Sequence, residues 1–448
     1  MDDSVSKNLP TGSTDTTVAG FKVANVPKVT YLDPQSISTN YAWGLPVDFV
    51  FPRTIGKVLD MVLQIDIECG ADSAAILPST PFWFERVETS IGGSAPFETV
   101  NKDELYEETV QFLPNQDFLN IAGSINYQTL IGEGGYGSDG YRATKKGRYF
   151  LPLWANCMMT AQPYIKGFNS EWKLRFTLSN NQPTLGLTAN ADPANPTRDN
   201  VRISGLRILV TEAQLPPNVE ARLAYQHSKG VTYNTINRVR HTDTKAITSP
   251  GDIEYTLTTF GNESAGVLLY IRAADNSSDY SALGLRAPVS YVNLRDAQGN
   301  PYYGTNLDGE FNRIFLSPWA INHESVETFL LNGILGGGSN WVAPTDGSDN
   351  AVPTEPTFNS KLINPTYLLP FSANVGAVLE DGRDLGAYAL SGREKAVLTI
   401  SESDITNMNY WLEYANSSNV TPVFVAVSYD YMRIKVKNGN ARVAYNRG

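Results

Sequence analysis

The chain has 448 residues, 42% of them apolar and 18% charged, with a formal net charge of -11. That length suits two domains of roughly 200 residues each, and the composition is globular rather than disordered. The acidic balance argues against a large phosphate-neutralising surface, and 23 Tyr, 18 Phe, 36 Gly and 26 Pro favour strands and turns over helices.

The first stretch, "MDDSVSKNLPTGSTDTTVAG", has no apolar core, so no signal peptide is expected. Segment 1–42 is rich in Ser, Thr, Pro and Gly and lacks strand periodicity until "KVTYL". It sets Lys7, Lys22 and Lys28 against Asp2, Asp3, Asp15 and Asp33, which makes it a near-neutral extended arm and not a basic one. "PVDFVFP" then puts Val47, Phe49 and Phe51 on one face of a strand, and "MVLQIDI" follows. "NKDELYEETVQFL" (101–113) reads as a short helical insert. In "EWKLRFTLS", Trp172, Leu174, Phe176 and Leu178 face one way and Lys173, Arg175, Thr177 and Ser179 the other. "QLPPNVEARLAYQHSKG" (214–230) is a connector whose Pro-Pro pair ends the preceding strand. Beyond it come "GDIEYTLT", "VLLYIRA", a helical insert over 402–415, and a last strand alternating Met432, Ile434 and Val436 with Arg433, Lys435 and Lys437. No apolar run approaches a membrane span. Cys69 and Cys157 sit in apolar, strand-like sequence and read as buried thiols of a reducing compartment.

The chain also matches itself. "YFLPLWAN" (149–156) and "YLLPFSAN" (367–374) agree at five of eight positions, at an offset of 218. "PVDFVFP" lies over "GDIEYTLT" at 206, as Leu63 and Ile65 lie over Leu269 and Ile271; "APFETVNKDE" lies over "NPYYGTNLDG" at 205. "KLRFTLS" over "KAVLTIS" (222) and "LRILV" over "MRIKV" (226) complete a collinear set with conserved strand phase. The drift in offset is what loop insertions produce. Strands with one buried and one wet face imply antiparallel sandwiches, and about eight per half imply jelly rolls. The expectation is therefore an all-β protein of two tandem eight-stranded antiparallel jelly rolls with short helical inserts. Its divisions are the arm over 1–42, a first roll over 43–217 and a second over 218–448. Long intervals holding "GEGGYGSDGY" (132–141) and "GGGSNWVAPTDGSDNAVPTEP" (336–356) fall at equivalent places and should project from the same end.

Chemistry is sparse. His227, His241 and His323 are widely spaced with no metal-binding pattern, and the first two read as solvated residues of the connector region. "GEGGYG" (132–137) satisfies G-x-G-x-x-G without the strand and helix that a dinucleotide site needs, so it reads as a surface loop. Asp103, Glu104, Glu107 and Glu108 cluster, with Glu104 and Glu108 on one helix face. Paired carboxylates can cleave glycosidic bonds, but a solvated acidic helix face is the default. Trp341 could stack on a sugar, and Asn262, Asn276, Asn416 and Asn419 match the glycosylation pattern by chance. No catalytic, cofactor or metal residues are assigned.

The chain resembles the double jelly-roll major capsid proteins of tailless icosahedral double-stranded DNA viruses, nearest those of virophages, polinton-like viruses and related large eukaryotic DNA viruses. The resemblance is carried by "VETSIGGSAPFETVNKDELYEE" (87–108), similar to that family's strand-IleGlyGly-strand hairpin and acidic segment, by "YFLPLW" (149–154), and by "GFNSEWKLRFTL". It implies a non-enzymatic virion protein without cofactors, whose homotrimers form pseudo-hexameric capsomers. Its partners would be neighbouring capsomers, penton proteins and minor or cement proteins, with no direct nucleic-acid binding. The competing readings are a double jelly-roll enzyme that binds or cleaves glycans, and a vertex or spike protein.

Overall fold

The computed structural model describes residues 16–18, 21–23, 27–38, 40–69, 75–76, 80–108, 146–153, 156–179, 186–187, 201–273, 286–312, 316–322, 345–346, 350–351, 366–382, 384–405 and 422–445. Eight principal strands make the first half: β1 (Lys28–Leu32), β2 (Pro46–Phe51), β3 (Lys57–Cys69), β4 (Phe84–Ile91), β5 (Glu98–Asn101), β6 (Lys146–Pro152), β7 (Trp172–Leu178) and β8 (Val201–Ala213). They pair antiparallel as β1 with β8, β2 with β7, β3 with β6 and β4 with β5. That nesting is a long hairpin rolled up, giving two four-stranded sheets ordered β1-β8-β3-β6 and β2-β7-β4-β5.

The second half repeats the scheme strand for strand. Its members are β9 (Val231–Thr244), β10 (Gly251–Thr256), β11 (Glu263–Ala273), β12 (Tyr291–Arg295), β13 (Leu307–Asp308), β14 (Tyr367–Pro370), β15 (Lys395–Ile400) and β16 (Pro422–Lys437). The sheet orders are β9-β16-β11-β14 and β10-β15-β12-β13, and a final strand β17 (Asn440–Tyr445) pairs with β16. Adding eight to each strand number of the first half gives the second. Five of the six matched sequence pairs fall on equivalent strands: β2 on β10, β3 on β11, β6 on β14, β7 on β15 and β8 on β16; the sixth sets β5 against 303–306, just ahead of β13. The likeness of "YFLPLWAN" and "YLLPFSAN" extends past the strand. Asn156 caps helix α2 (Cys157–Ala161) by accepting from Met158 N–H, and Asn374 caps helix α5 (Val375–Asp381) by accepting from Ala377 N–H. Asn374→Ala should therefore lower stability by about 1 kcal/mol in chemical denaturation.

Burial follows the alternation read from sequence. Along β7 the residues Trp172, Leu174, Phe176 and Leu178 are fully buried. Phe176 packs edge-on against Phe49 at 5.6 Å and Phe84 at 5.4 Å between ring centroids. This core of the first sandwich is closed by Met432, Ile434 and Val436, which belong to the last strand of the second half. The same face of β16 carries Phe424 and Ala426 into the second core. The long β16 thus serves both sandwiches.

Two sequence expectations are changed by the structure. The arm over 1–42 is too long: Lys28–Leu32 is a sheet strand, with Lys28 Nζ donating to Glu212 Oε1 at 2.8 Å. The connector holds a 13-residue helix, α3 (Pro217–Lys229). Its signals were present, with Pro at the first helical position, Glu220 in the first turn, Lys229 in the last, and Gly230 as terminator. Helix α1 is described over Lys102–Glu107, as expected there, and 109–113 lie outside the described residues; of the later insert, 402–405 are helical.

The interval 132–141 with "GEGGYG", Trp341, His323, Asn276, Asn416 and Asn419 also lie outside the described residues; of 336–356, only Thr345–Asp346 and Asn350–Ala351, which pair antiparallel, are described, but the strand ends that flank both intervals are described too. Glu68 pairs with Lys146 and Cys69 with Val201, so Cys69, Lys146 and Val201 lie at one end of the first sandwich. Ala273 pairs with Pro422, which puts these two residues at one end of the second.

Candidate functional site

The acidic helix α1 is the feature that the sequence offers as chemistry. Its carboxylates are neither solvated nor open. Asp103, Glu104, Glu107 and Glu108 are all buried, between 0% and 3% exposed. Asn101 N–H donates to Glu104 Oε2 at 2.9 Å and so fixes the start of the helix.

The helix leaves the first sandwich after β5 and enters the outer face of the β9-β16-β11-β14 sheet, where four arginines meet it. Arg238 of β9 grips Glu108 with two donors, Nε to Oε1 at 2.7 Å and Nη2 to Oε2 at 3.1 Å, while its Nη1 donates to Glu98 Oε1 at 2.7 Å. Two residues on, Arg240 spans Glu104 at 2.9 Å and Asp103 at 2.8 Å. Arg272 of β11 lies 3.0 Å from Asp103. Arg286 donates to Glu107 at 2.8 Å and Asp103 at 3.3 Å, with Tyr270 under its guanidinium at 4.7 Å. Burial opposes the charge on Asp103, but Arg272, Arg286 and Arg240 together hold its carboxyl below the usual range. Glu108 goes the other way. Burial, with Glu104 and Glu98 nearby, outweighs Arg238 and pushes its carboxyl up to about 7.

The network is flanked by apolar packing. Tyr270, Val423, Val425, Val427 and Tyr431 on the outer sheet face meet α5 and helix α4 (Ser317–Asn322). Thr160 of α2 donates to the carbonyl of Leu379 on α5 at 2.7 Å, a bond between the two halves. Charged groups saturated by one another and closed to water cannot protonate a glycosidic oxygen, so this cluster is a joint.

Two other sequence expectations change. His227 is not solvated: α3 lays it against Tyr164 and Phe168, with Nε2 2.6 Å from Tyr233 Oη, and burial lowers its pKa. His241 is partly buried on β9, and burial lowers its pKa too. Cys157 is a buried free thiol whose pKa is raised by burial and by Glu98 beside it. Asn262 donates its amide to Asp430 at 2.9 Å. The four arginines were missed. Their one signal was "NRVRH", which places Arg238 and Arg240 on one face of a strand, as acids cluster on one helix far upstream.

No family model matches the chain, and no curated protein sequence matches it. Solved structures do. The PBCV-1 virus capsid superposes with a TM-score of 0.61 at 14% identity, over 95% of this chain and 98% of that one. The fold is the double jelly roll of viral capsid proteins. The Sputnik virophage structure gives 0.57 at 13% identity, over 98% and 91% of the two chains. The Faustovirus major capsid protein gives 0.55 at 9% identity, over 96% and 92%.

Proposed function

We propose that this chain is a major capsid protein of an icosahedral virus, and that three copies close into a pseudo-hexagonal tile. One observation carries the reading: the two sandwiches are equivalent in topology but unequal in what covers them. The outer face of β9-β16-β11-β14 is sealed by α1, α4 and α5. Among the described residues, the equivalent face of β1-β8-β3-β6 is open along its edge strand β1, with Val29 51% and Tyr31 57% exposed. Arg207 stacks on the Tyr31 ring at 5.7 Å, and Arg148 pairs with Asp66 beside it.

By the pseudo-symmetry of the chain, the element equivalent to α1 is the turn 308–311, which carries Asp308, Glu310 and Phe311. In a ring of three copies, that region of one chain would cover the open face of the next. This is a heterologous contact that closes after three steps. The long loops would crown the outer surface. The segment ahead of Lys28 would reach a neighbour as an arm, and penton and cement proteins would bind at the tile's rim.

Native mass measurement of the purified protein is expected to give a trimer. Val29→Asp with Tyr31→Asp should shift it to monomer, because two desolvated charges would enter a contact that otherwise buries about 2,000 Å² or more. A pentamer would point to a vertex protein, and a monomer active on glycans to the enzyme reading.

A further inference from the structure

The sheet-surface cations of this protein are mostly paired. Arg175 holds Asp48 at 2.7 Å, Arg148 holds Asp66 at 2.7 Å and Lys395 holds Glu254 at 2.8 Å. The ribbon made by the end of β16 and by β17 breaks the pattern. Its inward face, with Ile434, Val436, Ala441 and Val443, seals the first core. Its outward face carries Arg433, Lys435, Lys437 and Arg442, all exposed, with no carboxylate in ion-pair range among the described residues. Lys435 and Arg442 even stand directly opposite each other across the two strands, an arrangement that costs stability. Residues 431–448 contain five Lys or Arg and no Asp or Glu, in a chain of net charge -11. The overall acidity thus conceals a segregated basic face.

We propose that this ribbon is an anion-binding surface for the phosphate backbone of the packaged nucleic acid. The assignment rests on the capsid reading above. The ribbon lies at the end of β16 opposite Pro422, hence away from the strand ends that bear the long loops. With the loops outward it faces the interior, and nucleic acid is the polyanion that every virus shell encloses. Side chains two apart along a strand stand roughly 6.6 Å from each other, so the four cations form a flat grid suited to backbone contact without base reading. Each tile would present three such grids, and their combined contact would make weak single sites effective.

The test uses purified trimer and a short fluorescein-labelled duplex, followed by anisotropy. Four phosphate contacts predict a log–log salt slope of about -3.6, or roughly a 150-fold loss of affinity between about 50 and 200 mM salt. Replacing Arg433, Lys435, Lys437 and Arg442 together by Gln should weaken binding at least about tenfold while native mass stays trimeric. Since the four side chains are exposed, the variant should melt at or slightly above the parent temperature. Unchanged duplex binding by that variant overturns the proposal. So does wild-type binding to phosphatidylserine vesicles but not to duplex, which would make the surface a membrane contact. A protein that is not trimeric at all would instead sink the capsid reading, a result seen in the mass and not in the anisotropy.

Discussion

Arg238→Met is expected to destabilise the protein by about 3–5 kcal/mol in equilibrium denaturation, far more than any surface substitution. The reason is what it leaves behind. Arg238 is 1% exposed and serves both Glu98 and Glu108, and a methionine fills much of the same volume without neutralising either carboxylate. An uncompensated buried charge costs several kcal/mol, whereas the intact pair contributes little beyond what apolar packing could. The joint therefore fixes how the sandwiches stand, more than how tightly they hold.

The pH dependence follows from the same groups. The raised carboxyl of Glu108, about 7 in the folded chain against an unperturbed value near 4.5, binds a proton that the unfolded chain releases. Its contribution is full below about pH 4.5 and is lost as pH rises through about 7. Asp103 behaves oppositely: its carboxyl is held low, so its contribution is present above the unfolded value near 3.8 and lost as pH falls below it. From pH 5 to pH 8 Glu108 pulls the melting temperature down, against a rise from His227 and His241, whose lowered pKa values favour the folded chain once they are neutral. The melting temperature of Glu108→Gln should therefore rise relative to the parent over that range, and an unchanged difference would place the proton elsewhere. In Arg238→Met the loss should be greater at pH 8 than at pH 5, because protonation relieves the stranded carboxylates.

The strands were legible because a half-buried strand writes its period into the sequence. Alternation alone divides Trp172 to Leu178 between two faces, and phase alone aligns the doubled strands. What escaped depended on partners distant in the chain. Nothing local tells a solvated acidic helix from one sunk among arginines 130 or more residues away, and Glu108 reads the same in both. His227 was misjudged for the same reason, since its burial is made by Tyr164 and Phe168 of the other half. Lys28–Leu32 failed differently. As an edge strand with Val29 and Tyr31 facing outward it looks like arm, and only its pairing with β8 makes it sheet.

The ribbon decides whether the first half can stand alone. A polypeptide ending at Lys229 contains every strand of the first sandwich yet is expected to show no cooperative thermal transition by circular dichroism. Met432, Ile434 and Val436 are at most 1% exposed and bury their side chains among first-half residues such as Trp172 and Phe168. At about 1.5–3 kcal/mol each, their loss amounts to roughly 5–9 kcal/mol, comparable to the whole stability of a domain. The ribbon is also held in register. Asn438 and Gly439 take φ of 52° and 75°, the turn that Asn-Gly favours, and Asn169 binds both, its amide donating to Asn438 O at 2.7 Å and its N–H to Gly439 O at 2.8 Å. In the full chain, Ile434→Ala should cost about 2–5 kcal/mol and lower one shared transition for both sandwiches. Two separate transitions, with only the second-half one shifted, would show the duplicated halves to be independent folding units, against the packing of β16 into both cores.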